Sequence, residues 1–132
     1  MNILPVSWDG ENRQSSQEVN ERSGYATIRN LVRNNAMPKI LFIGDDYMAR
    51  GAYTAILEAG IKIPDDLQLI ILSNKGNNIR ANVEFTRIEN DPVAEGNVIH
   101  QLIHDVLDAR DSSQRHRIST LTFIPGTSTL PQ

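Results

Sequence analysis

Short apolar segments recur along this chain, and their spacing limits the folds that it can adopt. Each segment of four to six mostly apolar residues is followed by polar turn residues and then by a stretch with helical periodicity. This alternation is typical of β-α units, in which parallel strands are joined by helices that cover the sheet. We therefore predict an α/β fold, a three-layer sandwich with a mostly parallel sheet.

The predicted strands lie at residues 3–6, 39–43, 67–72, 85–88 and 118–124. The unbroken apolar character of residues 39–43 predicts a central strand that is buried on both faces. Residues 118–124 instead alternate in the way that an edge or late strand does. A polar loop at 7–15 comes after the first strand, and a longer one at 73–82 comes after the third.

Three helices are predicted between the strands, the first after the loop at 7–15. The second has Asp45 or Asp46 as its N-cap and ends at Gly60, where glycine permits the left-handed backbone that stops a helix. The third begins at Asp91-Pro92, a capping residue followed by proline at the first helical position.

The composition excludes several classes of protein. With 132 residues and 39% hydrophobic content, the chain can form one domain with a core but hardly two. Its net charge is −3 and its 13 basic residues are scattered, so we do not expect this chain alone to bind DNA. It has no apolar run near the roughly 20 residues that cross a bilayer. The absence of cysteine excludes disulfides and thiolate metal sites, and we expect a cytoplasmic domain with no membrane partner.

Ligands of open parallel sheets bind beyond the carboxyl ends of the strands, so the residues there are the candidates for function. The candidate ligand-binding residues are Trp8, Asp45, Asp46, Ser73 and Asn90. Hydrogen-bonding groups beside an aromatic plane are suited to holding the hydroxyls of a sugar. Each residue also has a structural explanation, such as a turn at Ser73 or core packing of Trp8. Of the two aspartates, we predict that Asp46 caps the helix and that Asp45 faces the ligand.

Nothing in the sequence supplies a nucleophile, a base and an electrophile together, so we predict no catalytic residue and no enzyme activity. His100 and His104 share a helix face, but no carboxylate completes a metal-binding motif with them. The sequence has no phosphate-binding glycine loop and no nucleophile elbow. We predict neither a metal nor a cofactor.

Residues 40–46 resemble the opening of response-regulator receiver domains, in which an apolar strand ends in an acidic pair that binds magnesium. A receiver also needs a phosphorylatable aspartate after a later strand and a lysine after the last one. Here the later strand ends at Ser73, and no strand ends in that lysine. The receiver therefore stays the least favoured alternative.

The whole chain resembles the carboxy-terminal half of lactose-repressor-type transcriptional regulators, whose sensor is similar to periplasmic sugar-binding proteins. The resemblance covers at least residues 24–132 and consists of motifs that occur in the family's order and spacing. They are Gly44-Asp45-Asp46, Met48-Ala49-Arg50-Gly51-Ala52, Glu58-Ala59-Gly60, Ile63-Pro64-Asp65-Asp66, Phe85-Thr86-Arg87-Ile88-Glu89-Asn90-Asp91 with Gly96, and Gly126-Thr127-Ser128-Thr129.

Position by position, the resemblance matches Asp45 to a ligand-facing asparagine of the family and Asp46 to the aspartate paired with it. It matches Asn90 to a glutamine that can contact the effector. Three departures are clear: Asp45 replaces that asparagine, Ser73 stands where the family has an effector-binding aspartate, and Gly126 stands where the family has arginine. The identity of the effector is therefore not inherited from the family.

The resemblance implies one lobe of a type I periplasmic-binding-protein-like fold, with residues 1–132 as a single carboxy-terminal sensor lobe. The implied partners are a small-molecule effector, expected to be a sugar, and a second copy of the chain in a homodimer. The expected dimer surface is the helix at 47–59 with the loop at 76–83. DNA would be bound only through a further upstream domain. The alternative is a lobe of a solute-binding protein, which would carry an upstream signal peptide.

Overall fold

The computed structural model describes residues 16–108 and 118–131, which form three helices and a four-stranded sheet. In chain order they are α1 (Ser16–Arg33), β1 (Ile40–Ile43), α2 (Asp46–Glu58), β2 (Gln68–Asn74), β3 (Thr86–Asn90), α3 (Pro92–Leu107) and β4 (Thr122–Ile124). The predicted strand at 3–6 and the loop at 7–15 lie outside the described residues.

The described strands lie side by side in the order β1-β2-β3-β4. The β1-β2 and β2-β3 pairs are parallel, and β4 runs antiparallel to β3 at the edge of the sheet. This arrangement confirms the predicted α/β fold with a mostly parallel sheet, and it places the carboxyl ends of the first three strands at one edge.

The core lies where α2 packs against the sheet. Leu69 and Ile71 of β2 alternate with less buried neighbours, and both belong to one buried cluster with Ile56 of α2. Tyr53 of α2 meets Phe85 edge to face, with 5.3 Å between the ring centroids. Burying each large apolar side chain stabilises the fold by about 1.5–3 kcal/mol.

The two ends of α2 are set by local backbone chemistry. Asp45 precedes the helix in an extended conformation, and Gly60 follows it with φ of +70°, a conformation that side chains with a Cβ rarely adopt. The predicted helix end at Gly60 is confirmed. The predicted start of α3 is also confirmed, since Asp91 caps that helix and Pro92 is its first residue.

Two glycines allow α1 and α2 to touch backbone to backbone. A Cβ atom at Gly24 would lie 2.0 Å from the carbonyl oxygen of Met48, and one at Gly51 would lie 1.8 Å from that of Glu21. Any larger residue at either position would push the helices apart. The crossing therefore holds α2 between α1 and the sheet.

The predicted burial of residues 39–43 on both faces is wrong for the described part of the chain. β1 lies at the edge of the described sheet, and Ile40 and Phe42 are 59% and 54% exposed, whereas Ile43 is buried. An unbroken apolar run indicates a strand that is able to be buried, but it does not report which faces are covered. The central strand among the described residues is β2.

The carboxyl ends of β2 and β3 also extend further than predicted. The parallel ladder continues to the pairs Ser73 with Glu89 and Asn74 with Asn90. The prediction that a loop begins at Ser73 is therefore wrong, because backbone pairing with β3 holds Ser73 and Asn74 in the strand despite their low strand propensity.

The last described segment of the chain forms hydrogen bonds at the amino ends of β2 and β3. Ser128 is fully buried, and its Oγ accepts a hydrogen bond from Thr86 N and donates one to the carbonyl oxygen of Leu69. Its backbone accepts from Leu69 N and donates to Glu84 O, both at 2.9 Å. The tail is irregular as predicted, yet it is part of the fold.

The helix crossing predicts opposite effects for two glycine-to-alanine substitutions. Gly51→Ala should lower the free energy of unfolding by about 1–3 kcal/mol, because the new methyl group forces the helix backbones apart. Gly96→Ala is the matched control, since Gly96 is an exposed residue of α3 with no atom within 4 Å of an added Cβ. It should raise the free energy by about 0.5–1 kcal/mol. Urea denaturation measures both, and equal stabilities would contradict the close crossing.

Candidate functional site

A cleft of about 260 Å³ lies at the carboxyl edge of the sheet, where β1, β2 and β3 end. It is lined by Gly44, Asp45, Asp46, Leu72, Ser73, Asn74, Asn90, Glu95 and Leu121. The structure thus brings together four of the five predicted site residues, from three different strand ends. The fifth, Trp8, lies outside the described residues.

The first aspartate of the acidic pair is the helix cap. Asp45 has extended backbone angles, and its Oδ1 accepts a hydrogen bond of 2.8 Å from the backbone nitrogen of Met48. The prediction that Asp46 caps α2 is therefore wrong. The prediction that Asp45 faces a ligand stays a prediction, and Asp45 lines the cleft. Asp46 is already the first helical residue, and the two adjacent aspartates could not be told apart from their types alone. The cap uses only one carboxylate oxygen of Asp45.

Asp46 is the aspartate that joins α2 to the end of β2. It is only 4% exposed, and its Oδ2 accepts hydrogen bonds from the side-chain amide of Asn77 and, at 3.5 Å, from the backbone nitrogen of Asn74. Sequence reasoning had not singled out Asn77. The signal was the asparagine-rich composition of the loop after β2, which offers donors near the acidic turn.

Asn90 lies across the cleft from the acidic turn. Its Nδ2 donates to Oδ1 of Asn74 at 3.3 Å and to Oε2 of Glu95 at 3.0 Å, while its Oδ1 is buried without a partner in the described structure. Glu95 was also missed by the sequence reasoning. It lies in the first turn of α3, four residues after the cap Asp91, a spacing that returns a side chain toward the strand end.

The hydroxyl of Ser73 has no hydrogen-bond partner either. Ser73 is 4% exposed, and its Oγ and Asn90 Oδ1 are the two buried side-chain polar atoms that lack a partner among residues 16–108 and 118–131. Leaving a buried polar atom unpaired costs about 1–3 kcal/mol, so proteins rarely do so without a reason. Both atoms belong to residues that line the same cleft, where a ligand could supply the missing partners.

One basic side chain lies at the rim of the cleft, and it is already paired. The Nζ of Lys75 donates to Oδ2 of Asp91 at 2.8 Å. This hydrogen bond, with those from the backbone nitrogens of Ala94 and Val93, holds the pKa of Asp91 below its usual value. Asp91 in turn raises the pKa of Lys75. The lining residues themselves include three carboxylates and no basic side chain.

A larger groove of about 520 Å³ lies over the crossing of α1 and α2. Half of its six lining residues are charged, and the lining includes Tyr25, whose hydroxyl donates to Glu58 at 2.6 Å. None of the unpartnered buried atoms found in the described part belongs to this groove. Size alone therefore does not favour it over the cleft at the strand ends.

The described residues contain no cluster of three side chains suited to hold a metal ion. His100 and His104 contact each other edge to face, with 4.6 Å between their ring centroids. Within the same residues, no helix combines the length and apolar character needed to cross a membrane.

Comparison with known proteins gives one family and a consistent set of relatives. Residues 3–129 match the family described as periplasmic binding protein-like domain. The HTH-type transcriptional repressor PurR of Klebsiella pneumoniae subsp. pneumoniae is 29% identical over 93 residues, which cover 70% of this chain and 27% of the repressor.

Two solved structures show the same fold. The lac repressor dimer bound to operator and the anti-inducer ONPF superposes with a TM-score of 0.74 and 17% identity, over 83% of this chain and 38% of that one. A LacI family regulator from Enterococcus faecium with bound ribose has a TM-score of 0.63 and 23% identity, over 85% and 41% of the two chains. The chain therefore spans less than half the length of these relatives.

The two buried serines allow a sharp test of the unpaired hydroxyl. Ser128→Ala should lower the free energy of unfolding by about 1–3 kcal/mol, because Thr86 N and Leu69 O lose their buried partner. Ser73→Ala should leave stability unchanged or raise it slightly, because no hydrogen bond is lost. Chemical denaturation of both variants measures the difference. A loss at Ser73 as large as that at Ser128 would show that the Ser73 hydroxyl supports the fold.

Proposed function

We propose, because this chain belongs to the periplasmic binding protein-like domain family, that it is the effector-sensing lobe of a lactose-repressor-type transcriptional regulator. The resemblance of its sequence to that group is confirmed by the family match, the repressor relative and the solved structures. One observation carries the proposal of a binding site. Ser73 Oγ and Asn90 Oδ1 are buried without partners at the carboxyl edge of the sheet, where this fold class binds ligands.

The proposed ligand contacts are Ser73, Asn90, Asp46 and the second oxygen of Asp45, with Trp8 contributing an aromatic face. The effector is proposed to be a sugar or a similar small molecule with many hydroxyl groups. The acceptors of the cleft support this, because hydroxyl groups can donate to each of them. The regulator from Enterococcus faecium, which has the same fold, was solved with bound ribose.

The proposed mechanism is closure of two lobes around the effector. The aligned part of this chain covers 38% and 41% of the two solved regulators described above, and residues 1–132 are proposed to be the carboxy-terminal lobe of a longer protein. The effector would contact both lobes and so favour one relative orientation of them. A change in orientation would alter how an upstream DNA-binding domain meets its operator, in the cytoplasm.

We also propose that this lobe forms a homodimer through α2 and the loop at 76–83. The hydroxyl of Tyr53 on α2 bonds to Asn82, which fixes this loop against the helix. Beside them lies a hollow of about 410 Å³ lined partly by Leu57, Ile61 and Val83, and Leu57 is half exposed. A fixed surface with exposed apolar residues is suited to bury against a second copy.

In this role the chain binds and does not catalyse. The curated relative is a transcriptional repressor, and the cleft offers hydrogen-bonding groups without an activated nucleophile. The alternative remains a solute-binding protein built from the same lobe. A helix-turn-helix sequence upstream of this chain would support the regulator, and a signal peptide there would support the alternative.

The proposed site can be tested in the intact regulator, with both lobes present. The probe is whichever of ribose, glucose, lactose or sucrose gives the largest rise in melting temperature, since a ligand that binds only the folded state stabilises it. Ser73→Ala and Asn90→Ala should each weaken its binding about tenfold in calorimetry, the effect of about 1.4 kcal/mol.

Glu84→Ala is the control, because Glu84 is exposed and does not line the cleft. The affinity of this variant for the probe sugar should equal that of the unmodified protein. If Ser73→Ala and Asn90→Ala also bind with unchanged affinity, the site assignment is wrong. If neither these four sugars nor glucosamine binds, the proposed sugar-sensing function is contradicted.

A further inference from the structure

We infer that the ligand of this cleft carries a protonated amino group, as an amino sugar does, and that the cleft rejects phosphorylated or carboxylate-bearing sugars. The inference rests on the proposed function and specifies the chemistry of its effector. It follows from two independent features of the cleft: the unpaired buried atoms and the set of carboxylates around them.

The first feature is that the cleft requires hydrogen-bond donors. Both protons of Asn90 Nδ2 are directed to Asn74 and Glu95, so Asn90 presents only its unpaired Oδ1. An amide oxygen accepts and cannot donate. The hydroxyl of Ser73, 4% exposed and also unpaired, can do either. A ligand must therefore bring at least one N–H or O–H group to this point.

The second feature is an excess of negative charge. Asp45, Asp46 and Glu95 line the cleft, and none of them is in the ion pairs found among the described residues. Lys75, which follows the lining residue Asn74, is paired with Asp91, and this pair compensates the charge of that lysine. A cation brought by the ligand would therefore meet carboxylates that no basic side chain neutralises.

A primary ammonium group satisfies both requirements. It offers three donors and no acceptor, and hydrogen bonds between an ammonium and a carboxylate are about twice as strong as those between neutral groups. A phosphate or carboxylate group would bring only acceptors and a charge of the same sign as the cleft. A neutral hydroxyl can donate to Asn90 and to the carboxylates, but it carries no positive charge that the three carboxylates would attract.

The test compares three ligands that share one sugar ring by NMR titration of the ¹⁵N-labelled intact regulator, with both lobes present. The probes are glucosamine, glucose and glucose 6-phosphate, at slightly acidic pH where the amine is protonated. Glucosamine should shift the backbone resonances of Asp46, Ser73 and Asn90 and bind about tenfold more tightly than glucose, the effect of about 1.4 kcal/mol. Glucose 6-phosphate should shift none of them. Added salt should weaken the binding of glucosamine and leave the affinity for glucose unchanged.

Three variants test whether the carboxylates cause the preference for glucosamine over glucose. Glu95→Gln and Asp46→Asn should each reduce the preference for glucosamine several-fold, and both keep the shape of the side chain and its capacity to accept hydrogen bonds. Glu84→Gln removes the same charge from an exposed position outside the cleft, so the preference of this variant for glucosamine should match that of the unmodified protein. Glu95 lies on the surface of α3, so this variant reports on binding even if Asp46→Asn unfolds the chain.

The outcomes separate the two proposals. Equal affinity for glucosamine and glucose, or tighter binding of glucose 6-phosphate, overturns the inference about charge and leaves the effector cleft standing. Shifts confined to the groove over α1 and α2 overturn it as well. If no probe shifts any cleft resonance, the inference fails, while the proposed function is still judged on its own panel of sugars.

Discussion

The contact between the backbones of α1 and α2 is the constraint on which the rest of the structure depends. Because Gly24 and Gly51 have no side chains, α1 packs closely against α2, which in turn packs against the sheet. The start of α2 therefore lies beside the end of β2. This position brings the buried carboxylate of Asp46 within reach of Asn74 and Asn77. The cleft therefore depends on a helix crossing that no cleft residue takes part in.

The two edges of the sheet have different hydrogen-bonding states. At the amino edge, Ser128 satisfies Thr86 and Leu69, and the last described residues are tied to the fold. At the carboxyl edge, the buried hydroxyl of Ser73 has no hydrogen-bond partner, and neither has the side-chain oxygen of Asn90. Sites that bind ligands commonly retain such unpaired groups, because optimising stability there would remove the groups that the ligand needs.

The sequence was sufficient to predict the fold and the set of residues that meet at the strand ends, but not the contacts of each side chain. The spacing of apolar runs indicated the α/β class, and the rule for strand ends gathered Asp45, Asp46, Ser73 and Asn90 into one cleft. It could not tell which aspartate caps α2, because that depends on where the backbone turns from extended to helical.

Other features depended on contacts between distant parts of the chain. Ser73 and Asn74 have turn-forming side chains, but pairing with β3 keeps them in a strand. Glu95 and Asn77 reach the cleft residues only through the fold of α3 and of the loop after β2. The burial of β1 on both faces was predicted from its apolar composition, which does not indicate which neighbours cover a strand.

The most direct test of the proposed effector cleft is a crystal structure of the intact regulator with its bound effector. We expect ligand donor atoms within about 3 Å of Asn90 Oδ1 and Ser73 Oγ. A ligand bound elsewhere, with both atoms still unpaired, would contradict the effector cleft.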